Sequence, residues 1–247
     1  MESSGQPPVL SVVVPFYNEA GNIRPLIDEI RAALAAGPGY EVVCVDDGSD
    51  DATPGTLAAL AGDGLRVIRH QVRCGQSTAL WTGVRAARAD WVVTLDGDGQ
   101  NDPADIVRLL EARDAAGSDD RLLVTGHRKR RQDSWWKRVS SRVANGVRGR
   151  LLGDQTPDTG CGLKLFSRPA YLDLPYFDHM HRFIPALFLR AGGKVISIEV
   201  GHRPRRYGRS KYGTFDRLWI GIVDLFGVMW LRARMKHPEH EESGRAA

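Results

Sequence analysis

Residues 91–103 read WVVTLDGDGQNDP. Four of the first five are apolar and the other, Thr94, is β-branched, the mark of a strand buried on both faces. The chain then sets Asp96, Asp98 and Asp102 close together, with Gly97 and Gly99 between them. Asp102 and Pro103 open a helical pattern predicted over 102–116, with Asp102 as N-cap and Pro103 at the first helical position. Like charges at that spacing repel unless something positive lies among them. The strand tip is therefore either a solvated Asp-Gly turn or a cation site.

The same strand-then-helix order recurs on either side. Apolar, β-branched runs at 10–16, 41–45, 65–68 and 122–125 predict further buried strands, and helical spacing over 22–36, 53–61 and 77–89 predicts helices between them. That alternation predicts an α/β fold, a Rossmann-like, mostly parallel sheet with helices on both faces. Ligands of such sheets bind beyond the carboxyl ends of the strands. Three polar motifs stand there: PFYNE after the first strand, VDDGSDD after the second and LDGDGQ after the fourth.

The chain has 247 residues, enough for one such domain with an appendage. The expected organisation is a disordered tail at 1–8, a catalytic domain at 9–213, an amphipathic helix at 214–236 and a second disordered tail at 237–247. In that helix Leu218, Ile222, Leu225, Phe226, Met229 and Trp230 recur near helical spacing, flanked by Arg217, Arg232, Arg234 and Lys236. Such a helix lies on an anionic membrane surface, or packs in a core or dimer contact. Its apolar run, 218–231, is short and carries Asp224, so no membrane span is expected. Cys44, Cys74 and Cys161 have no metal-ligand spacing, and an odd count without an apolar leader fits a reduced, cytoplasmic chain. The net charge is only +4, but basic residues crowd 128–150 and 202–211, as expected for an anionic partner.

Alternate residues of an extended segment point the same way, so Asp96, Asp98 and Gln100 can converge on one point. Their oxygens suit a hard divalent ion, magnesium or manganese. Asp46 closes an apolar strand, where a carboxylate needs a donor: a nucleobase N–H, or the backbone of an Asx turn. The turn after the first strand lacks G-x-G-x-x-G, and no P-loop pattern occurs, which argues against dinucleotide and P-loop nucleotide sites.

VPFYNE, VDDGSDD, LDGDGQ and YGRSKYG, in that order, resemble the family-2 glycosyltransferases, and among them the dolichol-phosphate mannose synthase-like, polyprenyl-phosphate branch. The similarity covers roughly 10–213. It implies a GT-A fold, a UDP- or GDP-sugar donor, a divalent cation (Mg2+ or Mn2+) and inverting transfer to a polyprenyl phosphate. By position it assigns Pro15, Tyr17, Glu19, Asp46 and Asp96 to the nucleotide-sugar, and Asp96, Asp98 and Gln100 to the metal. Arg128, Lys137, Ser141, Arg142, Arg206 and Lys211 fall to the acceptor phosphate, and Asp96, Asp98, Arg128 and Asp158 to catalysis. Relatives carry Arg where this chain has Lys137, and an aromatic and Arg where it has Leu163 and Lys164.

A phosphate acceptor is already anionic and needs no strong base. Transfer to a glycan, lipid or protein hydroxyl is the alternative; it needs one, and Asp158 is then the first candidate. A nucleic-acid-binding module would leave the acidic motifs unexplained, so no nucleic acid is expected as partner. The expected location is the cytoplasmic face of a membrane, with a membrane protein or a second copy as a further possible contact.

Overall fold

The structure, a computed structural model, describes residues 7–62, 64–117, 119–128, 149–205 and 214–235, with the backbone alone for 214–220. The expected tails fall largely outside these residues.

Seven strands form one sheet: β1 (Leu10–Phe16), β2 (Tyr40–Asp46), β3 (Leu65–Arg69), β4 (Trp91–Thr94), β5 (Leu122–Arg128), β6 (Lys164–Ser167) and β7 (Lys194–Val200). Their spatial order is β3-β2-β1-β4-β6-β5-β7. All five expected strands are present. The sheet is mostly parallel as expected, with β6 alone reversed, antiparallel to both β4 and β5. Neither β6 nor β7 is anticipated by the strand-helix alternation. KLFS runs straight into the next helix, and KVISIEV is only half-buried along most of its length.

The β-branched runs form central strands because both faces are covered. From β1, Val12, Val14 and Phe16 enter one core with Ile23, Ile27 and Ile30 of α1 (Ala20–Leu34), Leu57 of α2 (Thr53–Ala58), and Ile106 and Leu109 of α4 (Asp105–Ala115). Val13 enters the opposite core with Leu80 and Val84 of α3 (Gln76–Ala86). Tyr171 of α5 (Arg168–Leu172), Phe188 of α6 (Ile184–Arg190) and Val228 of α7 (Thr214–Arg234) complete that core. Phe166 on β6 is its centre, stacked on Tyr171 at 4.7 Å between ring centroids and 6.1 Å from Phe188.

The expected helix boundaries move by up to three residues, and one of these shifts has a clear cause. Helix α4 starts at Asp105, not at Asp102. Asp102 instead closes a turn: its Oδ1 accepts from Ala104 N–H at 3.0 Å and its carbonyl from Asp105 N–H at 3.1 Å. Its carboxylate is also held by Arg203 at 2.6 Å. The Asp-Pro signal is a turn that leads into the helix rather than its first residue.

Truncating a fully buried ring leaves a cavity as well as lost transfer energy. Phe166→Ala is expected to cost about 3–5 kcal/mol of unfolding free energy, read from the midpoint of urea denaturation.

Candidate active site

The carboxyl ends of β1, β2 and β4 open onto a cavity of about 320 Å³, and three loops build its wall. The first two loops are clasped together. Asn18, held at φ +53°, donates its side-chain amide to Asp50 Oδ1 at 2.5 Å and accepts from Asp50 N–H at 3.1 Å. Glu19 N–H donates to Thr53 Oγ1 at 2.9 Å. Gly48 sits at φ +70°, and a Cβ there would come within 2.6 Å of the backbone at Val72 and Arg73, so only glycine allows that approach. Pro15, Tyr17 and Glu19 line the cavity, as the sequence predicted. Tyr17 has the Arg73 guanidinium 4.4 Å above its ring centre.

Asp46 and Asp47 divide differently from expectation. Asp46, the last residue of β2, is fully buried and is not among the residues lining the cavity. Its Oδ1 accepts from Ser49 N–H at 3.0 Å, the Asx-turn arrangement. Arg69 Nε lies 3.2 Å from Oδ2, close enough for an ion pair but not aligned as a hydrogen bond. Asp47, one residue beyond the strand, does line the cavity. Its Oδ1 accepts from Cys74 N–H at 2.8 Å and from the His70 ring at 2.8 Å, and its Oδ2 accepts from Gly75 N–H at 2.8 Å. Strand alternation held the clue: Asp46 follows Cys44 toward the same side, and the loop begins only at Asp47. Asp47, His70 and Cys74 bring possible metal-ligand atoms within 4.8 Å of one another. However, both His70 nitrogens are engaged, the second by Thr82 Oγ1 at 3.0 Å, so the cluster is a hydrogen-bonded network.

At the tip of β4, Asp96 and Asp98 both line the cavity. Asp96 Oδ1 accepts from Gln76 Nε2 at 2.8 Å. Burial pushes the Asp96 carboxyl up to about 6, and the charge of Asp98 adds to the rise; Lys164 and Arg128 oppose it. A Cβ on Gly162 would collide with this carboxyl, so glycine makes room for it. Asp98 Oδ2 pairs with Arg205 at 2.6 Å, and the same guanidinium reaches Glu19 Oε1 at 3.5 Å. Gln100 turns away from the cavity: its side-chain amide donates to the Arg203 carbonyl at 3.4 Å. An antiparallel bridge between Asn101 and His202, reinforced by Arg203 N–H donating to the Gln100 carbonyl at 3.0 Å, zips this loop to the segment after β7. That zip brings Arg205 onto the carboxylates.

Arg128 and Asp158 meet each other. Nε donates to Oδ2 at 2.6 Å, a terminal nitrogen to Oδ1 at 2.9 Å, and the Arg128 backbone N–H to Oδ2 at 3.3 Å. Neither lines the cavity. Lys137, Ser141, Arg142, Arg206 and Lys211 lie outside the described residues. The cavity's cations are instead Arg73, Lys164, Arg182 and Arg205. Lys164 is buried on β6 and donates to the carbonyls of Thr159 and Cys161. Burial holds its ammonium below the ordinary lysine range. His181 also lines the cavity. Arg73, Lys164, Arg182 and Arg205 were not singled out as ligands of the donor; the Arg205 position was within reach, one residue from the chosen Arg206.

The donor set suits a hard divalent ion. Asp96 and Asp98 offer carboxylate oxygens only, burial and the Asp98 charge raise the Asp96 carboxyl in a way that a cation would oppose, and the guanidinium on Asp98 shows that positive charge is already drawn to this spot.

A sheet with one reversed strand, acidic loops at the carboxyl ends of its parallel strands and a cavity between them defines a GT-A-like glycosyltransferase. Residues 11–174 match Glycosyl transferase family 2, and the chain belongs to that family. It is 35% identical over 241 residues to a dodecaprenyl-phosphate galacturonate synthase of Rhizobium johnstonii, covering 94% of this chain and 69% of that protein. It is 38% identical over 230 residues to an undecaprenyl-phosphate 4-deoxy-4-formamido-L-arabinose transferase of Edwardsiella ictaluri, covering 91% and 70%. Two solved structures share the fold. Glucosyl-3-phosphoglycerate synthase from Mycobacterium tuberculosis, in complex with Mn2+, UDP and phosphoglyceric acid, superposes with a TM-score of 0.67 at 24% identity, over 93% of this chain and 80% of that one. Mannosyl-3-phosphoglycerate synthase from Rubrobacter xylanophilus gives 0.69 at 16% identity, over 97% and 79%.

Asp98→Asn removes the neighbouring charge that disfavours Asp96 ionisation. Carboxyl 13C NMR of the metal-free protein is expected to show Asp96 titrating near pH 6 in the wild type and at lower pH in the variant. Because the folded-state value is raised, Asp96 contributes to stability below the unfolded carboxylate range, near pH 4. That contribution is lost as pH rises through about 6.

Proposed function

We propose that this glycosyltransferase moves a sugar from a UDP-sugar to a polyprenyl phosphate, with inversion at the anomeric carbon and dependence on a divalent cation. The observation that carries the reading is the Asp96–Asp98 pair at the tip of β4, set in one cavity with the nucleobase-type acceptor Asp47. The relatives named for dodecaprenyl and undecaprenyl phosphate support the acceptor, and a fold neighbour solved with Mn2+ and UDP supports the donor.

Asp47 favours uridine over guanosine by a count of lone pairs. A carboxylate offers about four acceptor positions. Three are taken, by Cys74 N–H, Gly75 N–H and the His70 ring. One remains, which matches the single imide N–H of uracil; the guanine edge presents two adjacent donors. His70 and the two backbone amides also fix the carboxylate in place.

Asp96 and Asp98 would hold the cation, which when bound would neutralise charge on the diphosphate. The chain's own groups do the rest. Arg73, Lys164, Arg182 and Arg205 line the same cavity and draw two anions, diphosphate and acceptor phosphate, together against their repulsion. An acceptor phosphate oxygen attacks the anomeric carbon, the carbon–oxygen bond to the diphosphate breaks, and the electron pair leaves with UDP. Asp158 is locked in a bidentate pair with Arg128, away from the cavity lining. That supports an acceptor which arrives already ionised rather than a hydroxyl that needs a base. In this reading Arg128 and Asp158 fix the 158–162 loop, and Lys137, Ser141, Arg142, Arg206 and Lys211 remain proposed contacts of the acceptor phosphate. Gln100 reaches the cation only by leaving the Arg203 carbonyl.

Among the described residues no helix is long and apolar enough to cross a membrane. Helix α7 packs Val228 inward while Val223, Phe226 and Trp230 stand 54%, 64% and 60% exposed, with Arg234 over the Trp230 ring. That outward face supports contact with a membrane surface, where a polyprenyl phosphate resides.

The test is transfer of labelled sugar from a panel of UDP- and GDP-sugars to undecaprenyl phosphate in detergent, with manganese or with chelator. Transfer from a UDP-sugar, lost with chelator and reduced at least about 100-fold in Asp98→Ala, is the expected result. Transfer only to soluble hydroxyl acceptors, or full activity in chelator, overturns it. Asp47→Ala is expected to abolish the thermal shift given by UDP with manganese, and GDP is expected to give a smaller shift to the wild type.

A further inference from the structure

One cavity group is left unused by the reading above. His181, at the turn before α6, lines the wall beside Gln76, the residue whose amide holds Asp96. Its backbone N–H donates to Ser77 Oγ at 3.2 Å, and its ring Nδ1 lies 2.7 Å from the same oxygen. Ser77 is fully buried and its hydroxyl carries a single hydrogen. The oxygen already accepts the backbone N–H, and no other acceptor for the hydroxyl is found among the described residues. The hydroxyl therefore donates to Nδ1, which fixes the imidazole as the tautomer with its proton on Nε2. With Nδ1 engaged at the wall, the Nε2 edge is left to the cavity. Protonation of the ring is opposed by burial first, then by Arg182, Lys164 and His179, which push it down to about 3. The ring is a neutral, oriented N–H donor at any ordinary pH.

Resting on the UDP-sugar reading, we infer that His181 Nε2–H donates to a hydroxyl oxygen of the transferred sugar and that Ser77 is its positioning residue. Three features favour the sugar over the diphosphate. Formal cations already line the cavity for the phosphates: Arg73, Lys164, Arg182 and Arg205. A neutral N–H donor adds no formal charge to those cations and suffices for an uncharged hydroxyl. The apolar side chains of Ala79, Leu80 and Ile184 share this wall, as suits the faces of a pyranose rather than an anion. His181 is thus a specificity contact and takes no part as a base.

Calorimetry with manganese, using UDP, UDP-glucose and UDP-galacturonate as probes, tests the inference. His181→Ala is expected to weaken both UDP-sugars about tenfold and UDP by less than about twofold. His181→Gln, whose amide reaches a similar place, is expected to recover much of the loss. Ser77→Ala, which frees the ring to exchange tautomer, is expected to fall between, with imidazole 15N shifts reporting the lost preference for Nε2–H. Equal loss for UDP and the UDP-sugars, or no loss for the UDP-sugars, overturns the inference. Failure of the wild type to bind UDP at all would instead overturn the donor reading on which it rests.

Discussion

The cavity depends on one electrostatic constraint: carboxylates gathered at a poorly hydrated strand tip must be met by positive charge. Asp96, Asp98 and Glu19 arrive from two different loops because β1 and β4 are neighbours in the sheet. Without cations nearby they would repel one another and open the cleft. Arg205 bridges Glu19 and Asp98, and Lys164 and Arg128 offset the charge of Asp96 from behind. The polar loops are therefore held to the sheet largely by opposite charge, while the two apolar cores hold the sheet itself.

Arg205 can play this part only because the chain returns to β4 from far away in sequence. The Asn101–His202 bridge and the double grip of Arg203 on Glu29 and Asp102, at 2.7 and 2.6 Å, anchor the segment after β7 against the acidic loop. On the proposed reading, an arginine clamped on the carboxylates would exchange partners when a cation and a diphosphate enter, its guanidinium finding phosphate oxygens in place of the Asp98 carboxylate. The residues that follow Arg205 in sequence belong to the basic stretch that the resemblance assigns to the acceptor phosphate.

Much of this was legible beforehand, for a physical reason. Parallel central strands are buried on both faces, so VVV, EVVCV and WVVT stand out as unbroken apolar runs, and ligands gather at their carboxyl ends whatever the side chains. Hence PFYNE and the β4 tip were expected at strand ends, and residues of both line the one cavity. The sequence misled where local pattern and tertiary contact diverge. Asp102 looks like a helix cap, yet Arg203 and the turn at 102–105 claim it. Gln100 has the alternation of a ligand, but once Gly99 takes φ +71° the chain is no longer extended and the side chain leaves the line. Asp46 and Asp47 are indistinguishable by composition, and only the register at which β2 ends separates them. The reversed β6 gave no signal, because four residues that run straight into a helix carry too little pattern.

The reversed strand matters more to the chemistry than its length implies. Because β6 runs against β4, residues 159–162 return over the acidic tip instead of leaving it. Thr94 Oγ1 donates to the Gly162 carbonyl at 2.7 Å, and Lys164 pairs in register with Thr94. A lysine in the middle of a sheet, tied to two carbonyls by its own loop, is an unusual way to place a charge, since burial disfavours the ammonium form. It is stabilised by Asp96, whose own ionisation is disfavoured for the same reason. Each charge favours the other, while burial opposes both. An antiparallel insertion therefore sets a buried lysine and a buried carboxylate in the lining of one cavity, at a place where an all-parallel sheet would present two strand tips of like character.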